Sequence, residues 1–213
     1  MSMLHLLAGL MPKGAAPTLT LTFINSAVSS GASITIPAAA LENDIAFLAD
    51  FSIDGSDNIL PSGFTSLANT LAEGDARLRT SYRVLGSSPG GTSVTGMNGA
   101  TSNAKVMLVF RPSITALSIA VPTWSGEGRS GDPANQTVTA SGQTPPLVVI
   151  GVAGTTGTPS FNVQTPAFSA TVTQGGIIVG YIVYNDTPLN HTVGMADLGS
   201  RNVLQSGYIR AVS

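Results

Sequence analysis

From Thr18 onward the apolar residues of this chain either alternate with polar ones or gather in short runs, and the runs are bounded by Gly, Pro, Asn and Asp. That spacing is the two-residue period of a strand; no long stretch carries the 3.6-residue period of a helix. It places strands at residues 18–25, 33–37, 45–53, 77–85, 92–97, 105–111, 117–121, 136–140, 147–153, 170–173, 177–184, 191–194 and 205–212, with a brief turn of helix at 38–41. About a dozen strands separated by turn signals predict an all-β chain folded as a jelly-roll-like β-sandwich.

The chain also repeats itself. Tyr82, Val84, Pro89, Val94, Asn103 and Arg111 recur 99 positions later as Tyr181, Val183, Pro188, Val193, Asn202 and Arg210. SVTGMN, ending at Asn98, is echoed by TVGMAD, ending at Asp197, with a one-residue gap, and ITIPA, ending at Ala38, by QTVTA, ending at Ala140. A fixed offset between identities is the mark of a duplicated unit. The junction PSITALS is too short and too apolar for a linker between independent domains. The expectation is one sandwich over residues 18–213, built from pseudo-repeats at about 18–112 and 113–213.

A chain of 213 residues can bury a core large enough to stand without cross-links. It must do so, because it has no cysteine and with that no disulfide, thiolate metal site or cysteine nucleophile. Charged residues make up only 9% of the chain, against about 25% in an ordinary soluble domain. Ser, Thr, Asn and Gly take their place at the surface, and such groups suit contacts between subunits because they lose less on desolvation than charges do. The net charge is −2 without a basic cluster, so nucleic acid is not an expected partner.

Residues 1–17 read as an arm. Met3, Leu4, Leu6, Leu7, Leu10 and Met11 form an apolar run that Pro12, Gly14 and Pro17 separate from the first strand. The run has no Lys or Arg before it, which argues against a secretory signal, and it is too short to span a membrane. An apolar arm of this kind either packs on its own sandwich or docks on a neighbouring chain.

Residues able to carry out chemistry are sparse. The two histidines, His5 and His191, give little material for a triad or a metal site. GSSPG at residues 86–90 fits the nucleophile-elbow pattern, but a strand rather than a helix follows it, which reads as a hairpin loop. Asp54, Asp57 and Asn58 cluster oxygens in a loop near Asp50 without the ligand spacing of a calcium hand, which reads as a solvated turn. Glu127 and Asp132 flank a second loop, and a chance pair of carboxylates is a weak sign of glycosidase chemistry. GVAGTTGTP lacks the Lys and hydroxyl ending of a phosphate loop. The three N-x-[ST] sequons, at Asn135, Asn185 and Asn190, are expected by chance in a chain so rich in threonine. No catalytic, metal or cofactor residue is assigned. Candidate surface contacts are Arg77, Arg79 and Arg83, which share one face of their strand and which Glu73 and Asp75 could instead neutralise. Trp124 is the fourth; it serves either as an exposed anchor or sugar platform, or as a cap on the end of the core.

The succession SITIPAAALENDIAFLADF, PSGFTSLAN, RLRTSYRVL, VMLVFRP, PPLVVIGVAG and SGYIRAV resembles a group of small proteins of tailed bacteriophages and prophages. Members of that group carry an ITIPAG strand, a GDLLVL strand, a PSGWT loop, an SYK strand and a closing aromatic strand. Here Asn43-Asp44 stands where Gly-Asp is usual and Phe64 where Trp is usual. The resemblance implies a non-enzymatic structural protein of the virion, made in the cytoplasm of a bacterial host. Its partners would be capsid or tail proteins, reached through the arm, and further copies of itself, with a trimer the expected assembly. The rival expectation is a tail-tip or fibre domain whose loops bind host surface glycan.

Overall fold

The computed structural model describes residues 18–53, 58–97, 104–114, 118–120, 124–196, 199 and 201–212. The arm residues Met3 to Met11, His5, Asp54, Asp57 and Asn103 lie outside the described residues.

The chain is an all-β sandwich, with 16 strands among the described residues, and each half of the sequence supplies one of its two principal sheets. In the first half β1 (Leu21–Ser29), β7 (Ala104–Pro112), β3 (Ile45–Ser52), β5 (Arg77–Val84) and β4 (Thr65–Leu71) lie side by side in that order, every neighbouring pair antiparallel. The second half repeats the order with β16 (Asn202–Val212), β11 (Leu147–Thr155), β14 (Ile177–Tyr184) and β13 (Ala170–Gln174). Its first edge strand is interrupted: β8 (Ser118–Ala120) pairs with one end of β16 and β9 (Ser125–Arg129) with the other. Small ladders recur as well, β2 (Ile34–Thr35) with β6 (Ser93–Val94) in one half and β10 (Gln136–Val138) with β15 (His191–Met195) in the other. The second ladder gains β12 (Phe161–Thr165).

Register makes the duplication explicit. Ile45 sits between Val84 and Phe110 in the first sheet, and Val148 sits between Val183 and Ile209 in the second. Both flanking residues move by the 99 positions that separate the identities in the sequence.

The central strands are buried on both faces, which is why they read as unbroken apolar runs. Along β3 the side chains of Ile45, Phe47, Ala49 and Phe51 enter the core between the sheets. Ala46 and Leu48 point the other way, into a second core closed by Ile34, Ile36 and Val94. The outer face of the second sheet is covered in two patches, one around Val138, Leu147 and Tyr208 and one around Ala153, Val193 and Leu204.

The two sheets also meet along their edges, β4 against β9 and β1 against β13, a pair of contacts that a pseudo-twofold exchange of the halves interchanges. The glycines of β9 belong to this seam. A Cβ on Gly126 would lie 2.2 Å from Thr70 Oγ1, and one on Gly128 would lie 2.4 Å from the Leu71 carbonyl oxygen. Polar bonds cross between the halves too. Gln205 donates from Nε2 to the Leu78 carbonyl (2.7 Å) and to Thr70 Oγ1 (2.9 Å), and its Oε1 accepts from Thr80 Oγ1 (2.7 Å). Asn185 exchanges two bonds with the backbone of Leu21, at 2.7 and 2.9 Å.

Three strands escape the sequence pattern, namely β4, β9 and β12. All three are partly exposed, and polar or glycine residues are tolerated where only one face needs an apolar partner. Residues 38–41 form hydrogen-bonded turns instead of a helix, closed by Ala40 N to Pro37 O and by Asp44 N to Leu41 O. The described residues contain no α-helix and so none long and apolar enough to cross a membrane.

Candidate functional site

Three charged side chains of this protein, Asp44, Asp50 and Lys105, are drawn inward. Asp50 projects from the outer face of β3 with Lys105 opposite it on β7 and Arg79 opposite it on β5. Lys105 Nζ lies 3.2 Å from Asp50 Oδ1, and both side chains are closed off from solvent. Burial pushes the Asp50 carboxyl up to about 6, although Lys105 and Arg79 pull it back. Asn58 ties the following loop to this cluster. Its Nδ2 donates to the carbonyls of Asp50 (2.6 Å) and Arg77 (3.2 Å), and its own carbonyl accepts from Arg79 Nε at 2.6 Å.

The duplicated half holds the control for this cluster. The counterparts of Asp50, Lys105 and Arg79 by register are Ala153, Leu204 and Ile178, which pack together in an apolar core. The sheet therefore forms with or without the charges. A buried ion pair of this kind rarely stabilises more than the apolar residues that could replace it. The segment that starts at Asn58 is held beside the pair by Arg79 and by the backbone carbonyls of Asp50 and Arg77.

A second charged device closes the start of β3. Arg111 grips Asp44 with two parallel bonds, Nε to Oδ1 and Nη2 to Oδ2, both 2.8 Å, and Nη2 also donates to the Ala39 carbonyl at 2.8 Å. Asp44 Oδ2 accepts the Leu41 backbone N–H at 2.8 Å. A bidentate arginine–carboxylate pair fixes direction as well as distance, so the loop from Pro37 to Asp44 is pinned to β7.

The outer face of the second sheet carries a cleft of about 330 Å³ lined by Ser125, Thr137, Val138, Gln143, Ser206 and Tyr208. No charged side chain is among these. Hydroxyls, one amide, a valine and a tyrosine ring form its walls, a mixture that suits a neutral, hydroxyl-rich ligand. Ser206 Oγ donates to Gln136 Oε1 (2.8 Å), and Gln136 Nε2 donates to the Leu204 carbonyl (2.9 Å), so the cleft floor is held by its own bonds.

The residues singled out in the sequence fall in different places. Arg77, Arg79 and Arg83 do share the outer face of β5, opposite Ser52, Asp50 and Ala46. Arg79 is taken up by Asn58 and, at 3.4 Å, by Ser66 Oγ, and Arg83 lies along Gly63. Trp124 occupies the core-capping position. Its ring stacks on Phe47 with centroids 5.6 Å apart and lies over Gly207, where a Cβ would come within 2.6 Å of the indole. His191 is fully buried and stacked on Phe168 at 4.9 Å, and its burial lowers the imidazole to about 4. It is a neutral core residue at ordinary pH. Both oxygens of Glu127 are occupied, one by the Arg129 guanidinium and the other by the Ala134 N–H at 3.0 Å. The GSSPG segment is a loop between β5 and β6 with no helix after it. Among the described residues no three His, Asp or Glu side chains converge as metal ligands would.

Two features carry no sign in the sequence: the Asp44–Arg111 clamp and the burial of Lys105. Their partners lie far along the chain. No protein family, curated protein or solved structure matches the chain.

Proposed function

We propose that this protein is a non-enzymatic structural subunit of a tailed-bacteriophage particle, docked on capsid or tail proteins through its N-terminal arm. The observation that supports this most is the disposition of charge. Asp44, Asp50 and Lys105 are buried and paired, Arg79 and Glu127 are engaged within the chain, and the surface left over is dominated by Ser, Thr, Asn and Gly. Such a surface can be buried against a neighbour without stripping water from charges. The duplicated, closed sandwich adds a rigid body on which an apolar arm can be carried. Apolar area on Met3, Leu4, Leu6, Leu7, Leu10 and Met11 contributes about 25 cal/mol per Å² removed from water, before the cost of ordering the arm.

The test is particle assembly with a chain lacking residues 1–17. The expected result is a folded sandwich that no longer enters particles, with density for the intact chain over the capsid or along the tail in electron cryomicroscopy of the parent particle. Incorporation of the truncated chain at normal copy number would overturn the docking mechanism. The cleft beside Ser206 and Tyr208 favours a second reading, host recognition through neutral surface glycan. Binding of the purified chain to host polysaccharide, lost on Ser206→Trp, would establish it.

A further inference from the structure

The internal duplication supplies a comparison at one place where the halves differ. Arg111 and Arg210 are the same residue of the repeat, one on β7 and the other on β16. Asp44, immediately before Ile45 in β3, clamps Arg111. In the second half the residue across from Arg210 is Leu147, immediately before Val148, the counterpart of Ile45. The arginine has been kept and its carboxylate has not. Among the described residues no acidic group forms an ion pair with Arg210.

The hollow around the pair is also kept. In the first half it measures about 150 Å³ and includes Leu41, Glu42, Asp44, Arg111 and Pro112. In the second it measures about 120 Å³ and includes Leu19, Thr144, Pro145, Arg210, Ala211 and Val212. Apart from Arg210 and the Thr144 hydroxyl its walls are apolar, and such walls strengthen the attraction between a guanidinium and an anion. The volume is well below the roughly 300 Å³ at which pockets for free small molecules begin. A carboxylate on a short aliphatic stem fits the chemistry and the size, and an acidic side chain of a polypeptide is that group.

We propose that the Arg210 hollow is a receptor for an Asp or Glu side chain brought by another polypeptide chain, which pairs with Arg210 from the open side of the hollow, since Leu147 fills the position of Asp44. The site is independent of which particle the chain enters. Loss of particle docking would leave it standing, and its failure would leave the docking mechanism standing.

The chain contains seven arginines, so their Nε–H resonances can be followed one by one in the full-length ¹⁵N-labelled protein, with Arg210→Gln and Arg111→Gln giving the assignments. The probe is N-acetyl-aspartyl amide. The expected result is a saturable shift of the Arg210 resonance toward the position of Arg111, which itself stays still because Asp44 already fills it. Leu147→Asp installs the missing carboxylate and should move Arg210 to that position with no probe present, abolishing the response; if that variant does not fold, the titration decides alone. An Arg210 resonance that ignores the probe, or that moves no more than Arg111 does, overturns the proposal. A shift of Arg210 on dilution of the unliganded protein would identify the donor as a second copy of this chain, and constancy on dilution, with the probe response intact, would identify it as a different protein.

Discussion

Replacing Gly128 by alanine tests the seam on which the closed sandwich depends. The new methyl would lie 2.4 Å from the Leu71 carbonyl oxygen and 2.7 and 2.8 Å from the Cα and N of Ala72, about 1 Å inside comfortable contact. Every one of these obstacles is backbone, so no rotamer change relieves them. Either β9 peels from β16 or β4 leaves β5. Overpacking of this sort costs about 1–3 kcal/mol, and the rigid obstacle places Gly128→Ala toward the upper end. Restricting the unfolded chain returns about 0.4–1 kcal/mol, which leaves a net loss of about 2 kcal/mol. For a domain of this size that is a fall in Tm of roughly 4–8 °C. Urea unfolding followed by Trp124 fluorescence measures it, because the only tryptophan packs in the core on Phe47. Gly131→Ala is the control: nothing lies within 4 Å of a Cβ there, and its stability should stay within about 0.5 kcal/mol of the parent. If Gly128→Ala unfolds at the same urea concentration as Gly131→Ala, β4 and β9 do not meet as described.

Three further outcomes follow from the buried polar groups. Asp50, raised to about 6, holds a proton in the folded state that the unfolded chain has lost, so its contribution favours folding as pH falls from about 6 to 4. His191, lowered to about 4, does the reverse, since the unfolded chain takes up a proton first and stability falls as pH drops from about 6.5 to 4. Each is worth about 3 kcal/mol at full shift, so the parent should be nearly flat between pH 4 and 6. Asp50→Asn should become acid-sensitive and His191→Phe acid-stabilised, and urea midpoints for Asp50→Asn that stay flat over this range would refute the assignment. Gln205→Leu strips partners from Thr80, Thr70 and the Leu78 carbonyl and should cost about 1–3 kcal/mol in the same assay. Arg111→Gln leaves buried Asp44 without its clamp and should cost about 2 kcal/mol after allowance for the partial exposure of the guanidinium, whereas Arg210→Gln should cost under about 0.5 kcal/mol in the isolated chain.

The strands that show most plainly in the sequence are those buried on both faces. IAFLADF, VMLVFRP, PLVVIGVAG and IIVGYIVY announce themselves because nearly every residue is buried, so the apolar run is broken only by Asp50 and Arg111. The duplication was legible because register preserves spacing: Tyr82 and Tyr181 occupy corresponding positions in β5 and β14, as Arg111 and Arg210 do in β7 and β16. The edge strand β9, SGEGR, was not legible. Its glycines answer to Thr70 and Leu71 across the seam, and nothing within five residues of them says so. The charges misled in a similar way. Arg79 reads as a surface contact until Asn58 is seen to accept from it. In each case the deciding partner comes from another strand or loop of the sheet, where local pattern has no reach.

That each half completes its own sheet bears on how the protein is made. Strand pairing in the first sheet involves only residues up to Pro112, so that sheet can zip up as soon as β7 has left the ribosome. Its inner face, with Phe47, Phe51 and Phe110, has nothing to rest on until β11, β14 and β16 follow. At about 5–20 residues per second, the first sheet waits on the order of 5–20 seconds with a wide apolar surface open to water. During that interval the nascent chain is a ready client for holdase chaperones. Two such half-made chains on one message can also pair with each other, because the face each one exposes is shaped to receive a sheet of its own topology.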